Sequence, residues 1–216
     1  MQISDAPEGR PRSSRYTSPL RQQRAADTRD RIATAARELF ALQGFAGTTV
    51  AGIAQRAGVS VQTVYATFGS KGAIVSALTT QFEADADAAG WRARIEQSAD
   101  PAALLQTFAQ WTRVLLSTSR ETIAAVHAAT ADPAIAELRT VGDQHRRAAL
   151  QSLVSRIAGH GGLRAELTEP RAVDQAWMLT GIELYLAATD GCGWSDLDYE
   201  TWLSDILQQQ LLRPGR

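Results

Sequence analysis

Residues Val50–Phe68 read VAGIAQRAGVSVQTVYATF, and Gly69, Ser70 and Lys71 follow directly. Ile53, Ala54 and Ala57 fall at i, i+1 and i+4, one apolar stripe on a helix of about two turns. Gly58 stands where a helix commonly ends in the left-handed conformation, which glycine adopts without strain. Ser60 is placed to cap a second helix by accepting from the free amides of its first turn. Val64 and Phe68, four apart, give that second helix a buried side, and Val59 is placed to plug the angle between the two. Ala54 is small enough to let them approach closely. Two short helices joined this tightly make the pattern of a helix-turn-helix, whose second helix stands proud of its domain.

Stepping about 100° per residue from Val64 sorts the remaining positions of the second helix. Gln62, Thr63 and Ala66 point away from the core, and Tyr65 and Thr67 lie on the flanks. That outward face carries amide, hydroxyl and methyl groups and no acid, so it meets a phosphate-lined groove without repulsion. A helical hairpin inside an ordinary α domain has the same spacing. Charge separates the two readings.

The chain has 216 residues and a net charge of −1, unevenly spread. Residues 1–72 hold ten Arg/Lys and five Asp/Glu, a net of +5, whereas residues 73–216 hold twelve and eighteen, a net of −6. A basic head on an acidic body is what a nucleic-acid contact at one end would require. Much of the surplus sits in the first 31 residues, where Arg10, Arg12, Arg15, Arg21 and Arg24 read either as a groove-tracking arm or as a solvated tail. Arg29 and Arg31 lie nearer the folded head and are better placed for phosphates.

Cys192 is the single cysteine, and the three histidines, His127, His145 and His160, share no metal-ligand spacing. No apolar run approaches the roughly 18 residues of a membrane span, and the N-terminus lacks the apolar centre of a secretory signal. The expectation is a cytoplasmic protein without metal or cofactor. No GxSxG elbow, P-loop, dinucleotide-binding turn or HExxH is present, so nothing supports an enzyme. A helical module that binds protein is the other competitor.

In chain order, residues 1–24 are poor in apolar residues and read as a disordered basic arm. A first helix is predicted from Thr28 to Gln43, with Ile32, Ala35, Ala36, Leu39 and Phe40 inward, closed by Gly44. Thr48 or Thr49 caps the next, where free amides and hydroxyls also suit a phosphate. Lys71 stands in the first turn of a fourth helix running to near Ala89, a cation opposing the helix dipole unless it serves an outside anion. Further helices are expected from Pro101 to Ser117, from about Ser119 to Ala131, from Pro133 to His160, from Glu169 to Thr189 and from Asp198 to Leu212. The fold class is all-α, with about nine helices: a helix-turn-helix head over 25–72 and a larger helical body over 73–216.

The Thr-Thr start at 48–49, the Ile-Ala pair, the Ala-Gly-Val-Ser turn, the Val-Tyr pair, Phe68 and Ser70-Lys71 together resemble the TetR family of bacterial transcriptional regulators. The resemblance runs from about Arg29 to Leu78. It implies a ligand-responsive regulator, usually a repressor, that binds a palindromic DNA operator as a homodimer. Carried over by position, it implies that Thr49, Thr63, Tyr65 and Lys71 contact phosphates, and Thr48, from its place at the helix start, stands beside them as a DNA-binding candidate. Val61, Gln62 and Thr67 fall where family members read bases, with Gln62 suited to adenine and Val61 to a thymine methyl. Ala51 replaces a longer side chain found in some members, and Gly72 replaces the usual acid.

The resemblance further implies a small-molecule effector in the body, with Phe82, Trp111, His127, Trp177, Met178 and Glu183 as candidate lining residues. For each, plain core packing is the competing reading. It also implies a dimer interface built from the last two helices. There Trp177, Ile182, Leu186, Trp202, Ile206 and Gln210 are the candidates, and helices apolar on more than one face have two partners to bury against.

Overall fold

The computed structural model describes residues 19–85, 87–129 and 133–214. Most of the expected N-terminal arm, residues 1–18, lies outside them. Within them the chain is all-α, and the one β-type pairing is an isolated bridge between Leu163 and Leu212. Ten α-helices follow one another: α1 Pro19–Gly47, α2 Val50–Ala57, α3 Val61–Phe68, α4 Lys71–Asp85, α5 Ala88–Gln97, α6 Pro101–Ala128, α7 Pro133–Gly159, α8 Glu169–Leu179, α9 Ile182–Leu186 and α10 Asp196–Leu211. A π-helical turn, Ala187–Gly191, continues α9.

Two apolar clusters organise these helices. In the head, Ile32, Ala36 and Phe40 of α1 meet Ile53, Ala54 and Ala57 of α2, Val64 of α3, and Ile74, Val75 and Leu78 of α4. Phe45 closes this cluster against Phe40, ring centroids 5.5 Å apart. Ile135 of α7, with no exposed surface, belongs to the same cluster, so the body reaches into the head's core. The head's packing therefore runs past residue 72 to Leu78 and beyond it to α7. The body's own cluster gathers α6 (Leu104, Leu105, Phe108), α7 (Leu150, Val154, Ile157), α8 (Ala172, Val173) and α10 (Tyr199, Leu203, Leu207).

Several boundaries depart from the sequence expectation. The first helix begins at Pro19, so residues 19–24 of the expected arm are helical; its far end is broken at Gly44, whose φ is +71°. The fourth helix stops at Asp85, and α5 is a separate helix capped by Asp87, which accepts from Gly90 N at 3.2 Å. No break occurs near Ser119. Its hydroxyl bonds back to the Leu115 carbonyl and that of Ser117 to Val114, so these serines decorate one continuous α6 instead of capping a new helix.

The expected helix Glu169–Thr189 is split at Thr180 and Gly181. Thr180 closes α8 with both N–H and hydroxyl on the Ala176 carbonyl, and its own carbonyl accepts from Arg146 Nη1 at 3.1 Å. An outside donor thus takes the place of the helical one. The last helix starts two residues early because Ser195 is its cap: Ser195 accepts from Asp198 N at 3.1 Å, and the Asp198 carboxylate accepts from Ser195 N at 2.9 Å.

Candidate nucleic-acid interface

Local chemistry sets the angle between α2 and α3. Thr49 caps α2, accepting from Gly52 N at 3.0 Å. Gly58 ends it with φ +64°, its N–H turned back to the α2 carbonyls, and a Cβ there would stand 2.9 Å from Arg31 Nη2. Ser60 then caps α3, accepting from Thr63 N at 3.0 Å. Val64 is buried against the head core, with Val59 and Phe68 packed beside it. The opposite side of α3 is left to solvent: Val61, Gln62, Tyr65 and Ala66 are exposed.

This refines the expected face. Tyr65, placed on a flank by the helical wheel, is half exposed (51%), while Thr63, placed outward, is half-buried with its hydroxyl 2.7 Å from Ser60 Oγ. Thr67 is half-buried too and donates to the Thr63 carbonyl at 2.7 Å. Its hydroxyl stabilises the helix it sits on. The exposed atoms of α3 are therefore an amide, a phenol and two apolar groups, without charge.

The cations assigned to phosphates each hold backbone carbonyls of the head. Lys71 Nζ donates to the carbonyls of Phe45 and Thr48 at 2.8 and 2.9 Å, and lies 3.9 Å from the Phe45 ring centroid. Its unfavourable place at the start of α4 is thus compensated by carbonyls of the α1–α2 turn, within the protein. Arg31 donates to the carbonyls of Ala57 and Gly58, closing the end of α2. Arg29 lies over the Phe68 ring at 4.4 Å and donates to the Thr67 carbonyl at 3.4 Å, closing the end of α3. Both arginines sit at helix C-termini, where a cation is favoured by the dipole. Thr48 is 1% exposed and its hydroxyl donates to the Gly44 carbonyl at 2.8 Å, so it braces the turn; as a surface phosphate ligand it is misplaced. Thr49 keeps its cap and is exposed. Replacing Thr49 by Ala should cost the head about 1 kcal/mol in urea unfolding; an unchanged midpoint would show that the cap contributes nothing.

The body candidates do not converge on one cavity. Trp111 is half-buried with its Nε1 unpartnered, and His127 Nε2 pairs with Glu183 Oε1 at 2.8 Å. Trp177 is covered by the Arg146 guanidinium, 3.5 Å above its ring. Met178 and Glu183 are exposed, which removes them from any enclosed lining. Nothing is described of the Phe82 side chain. Two open clefts, of about 430 and 200 Å³, lie elsewhere: one between α1 and α2, lined by Asp30, Glu38 and Arg56, the other between α6 and α10, lined by Gln106 and Asp205.

Sequence reasoning missed the polar cluster around the α8–α9 break. Burial lowers the pKa of Arg146, and its Nε has no partner among the described atoms. The fully buried Tyr199 hydroxyl is likewise unpartnered, and burial, then the nearby Tyr185, push its pKa up. Tyr185 donates to Asp196 Oδ1 at 2.6 Å, and burial with that bond raises its pKa to about 12. Gly181 inside an otherwise helical pattern was the available signal.

Of the interface candidates, Ile182 is buried, Trp177, Leu186, Trp202 and Ile206 are half-buried, and Gln210 is exposed. Trp202 stacks edge-on with the exposed Trp194 at 5.9 Å. Among the described residues, no helix is long and apolar enough to cross a membrane.

Residues 32–78 match the family described as bacterial regulatory proteins, tetR family. The chain is similar in fold to NalD, the secondary repressor of the MexAB-OprM multidrug efflux pump in Pseudomonas aeruginosa. That similarity has 20% identity and a TM-score of 0.72, over 89% of this chain and 100% of that one. A transcriptional regulator from Saccharomonospora viridis in complex with choline is similar over 88% of this chain and 100% of its own, at 19% identity and TM-score 0.70. The fatty acid degradation regulator FadR from Bacillus halodurans is similar over 84% and 94%, at 19% identity and TM-score 0.69. No curated protein sequence matches the chain.

Proposed function

We propose that this chain, whose residues 32–78 match the tetR family of bacterial regulatory proteins and whose fold is similar to that of NalD, is a cytoplasmic, ligand-responsive transcriptional repressor of that family. Two copies bind a palindromic operator, each laying α3 in the major groove. The observation that carries this reading is the face of α3: Val61, Gln62, Tyr65 and Ala66 stand clear of the core on a helix held by caps at both ends. Gln62 reads adenine through a bidentate amide contact, Val61 meets a thymine methyl, and the Tyr65 and Thr49 hydroxyls hold phosphates. With no cation on this face, specificity comes from few groups, and a second subunit supplies what one lacks.

Self-association is assigned to α8–α10, where Trp202 and Ile206 remain half-buried beside exposed Trp194 and Gln210. An effector enters the body near the unpartnered Arg146, Tyr199 and Trp111 groups. Complexes such as that of the S. viridis regulator with choline support a small-molecule effector for this fold. Its signal passes through α4, which belongs to the head core and meets α7 through Ile135. No catalytic role is proposed.

The testing experiment compares two variants on DNA selected from a random pool. Gln62→Ala should change the preferred base at one position per half-site, a difference of ~1–3 kcal/mol. Tyr65→Phe should weaken binding to all sequences about equally. If Gln62→Ala selects the same site as the unaltered chain, α3 does not read DNA through Gln62.

A further inference from the structure

We propose that the N-terminal end of α1, through Arg21 and Arg24, clamps the sugar–phosphate backbone of duplex DNA flanking the half-site. The inference rests on the DNA-binding reading and adds a second contact to it. It starts from which cations of the head are held in place by partners and which are not. Lys71, Arg29 and Arg31 are spent on carbonyls, and Arg56 pairs with Glu38 at 2.7 Å. Arg21 and Arg24 are exposed and, among the described residues, have no acidic or carbonyl partner. Arg37 is also exposed, but about 160° around α1 from Arg21. Among the described residues, Arg21 and Arg24 are therefore the arginines at this end of α1 that no carbonyl or carboxylate holds.

The position fits. Arg29, over Phe68 and on the Thr67 carbonyl, fixes α1 beside the C-terminal end of α3. The residues before it, from Pro19 to Thr28, extend the helix by about 15 Å from that point. None of residues 20–31 is buried, and the first core side chain of α1 is Ile32. A helical segment without core contacts is marginal in water, and Arg21 near its start opposes the dipole. At Lys71 the same conflict is compensated by nearby carbonyls; at Arg21 no such partner is present among the described residues. The run Gly9–Arg24 carries five arginines and no acid, so charge complementarity with a polyanion continues upstream. A duplex presents one phosphate charge per ~1.7 Å of axis, enough to meet Arg21 and Arg24 together.

Arg21→Gln/Arg24→Gln in the full chain tests this, against the selected operator with ~8 flanking base pairs on each side and against the same operator trimmed of them. Both residues are exposed, so the fold should be unchanged by circular dichroism. On the long duplex the variant should bind about 10-fold more weakly near 0.15 M salt. Its log–log salt slope should fall by ~2–4, since four arginines per dimer contribute up to about 0.9 each. The unaltered chain should drop to the variant's level on the trimmed duplex, while the variant is indifferent to trimming. Equal slopes and affinities, or equal losses on trimming, overturn the clamp and leave reading by α3 standing. If the unaltered chain binds no duplex, the DNA-binding reading fails and the clamp with it.

Discussion

Ile135→Ala should lower the stability of the chain by about 2–5 kcal/mol and separate unfolding of the head from that of the body. Ile135 has no exposed surface and sits in the head's cluster with Ile74, Val75 and Leu78 of α4, although it belongs to α7 of the body. Leu138, one turn on, packs against the same cluster. Truncation to Ala leaves a cavity where two rigid helices meet, and neither can collapse without pulling on the other's core. The same contact gives the body its mechanical hold on the head, since α4 cannot shift without moving Ile74 and Val75 against Ile135. Differential scanning calorimetry checks this: one transition in the unaltered chain, two in the variant. A single transition within ~0.5 kcal/mol of the original would show that α7 only brushes the head.

Lys71→Ala should cost about 2–3 kcal/mol, although its side chain lies at the edge of the head. Two charge-assisted bonds are lost, and the Thr48 carbonyl loses the partner that Lys71 supplies. Thr48 itself is buried, so little water reaches that carbonyl to replace the ammonium. The contact with the Phe45 face goes as well. Lys71→Arg should rescue only part of the loss, because a planar fork does not reproduce a point donor between two converging carbonyls. Urea unfolding read beside an operator titration separates the two roles. Lost stability with affinity falling in step supports the internal staple. Unchanged stability with weakened DNA binding would return Lys71 to the phosphates.

These two residues also show how far sequence carries. The helix-turn-helix was legible because its signals are local: the stripe Ile53, Ala54 and Ala57, a glycine at positive φ, and caps at Thr49 and Ser60, all present where spacing placed them. Lys71 was legible as an anomaly, a cation at the wrong end of a helix. Its partners, 26 and 23 residues away, were not, because backbone carbonyls carry no sequence signature. The carbonyl partners of Arg29 and Arg31 were hidden for the same reason.

In the body, the split at Thr180 and Gly181 depends on Arg146, 34 residues earlier, taking a carbonyl that a helix would otherwise use. Ser119 offered a local cap signal and lost to an apolar stripe that continues through it. Ile135 in the head core was unpredictable from periodicity, which shows that a face is buried but not against what.

The most direct test of the central claim is selection from a random duplex pool by the full chain, with the stoichiometry of the winning complex read by analytical ultracentrifugation. One enriched two-fold symmetric sequence is expected, with half-sites about one helical turn or a multiple apart, two chains bound per duplex, and affinity falling steeply with salt. Enrichment of no sequence, or a monomer bound with a salt slope near zero, would contradict it.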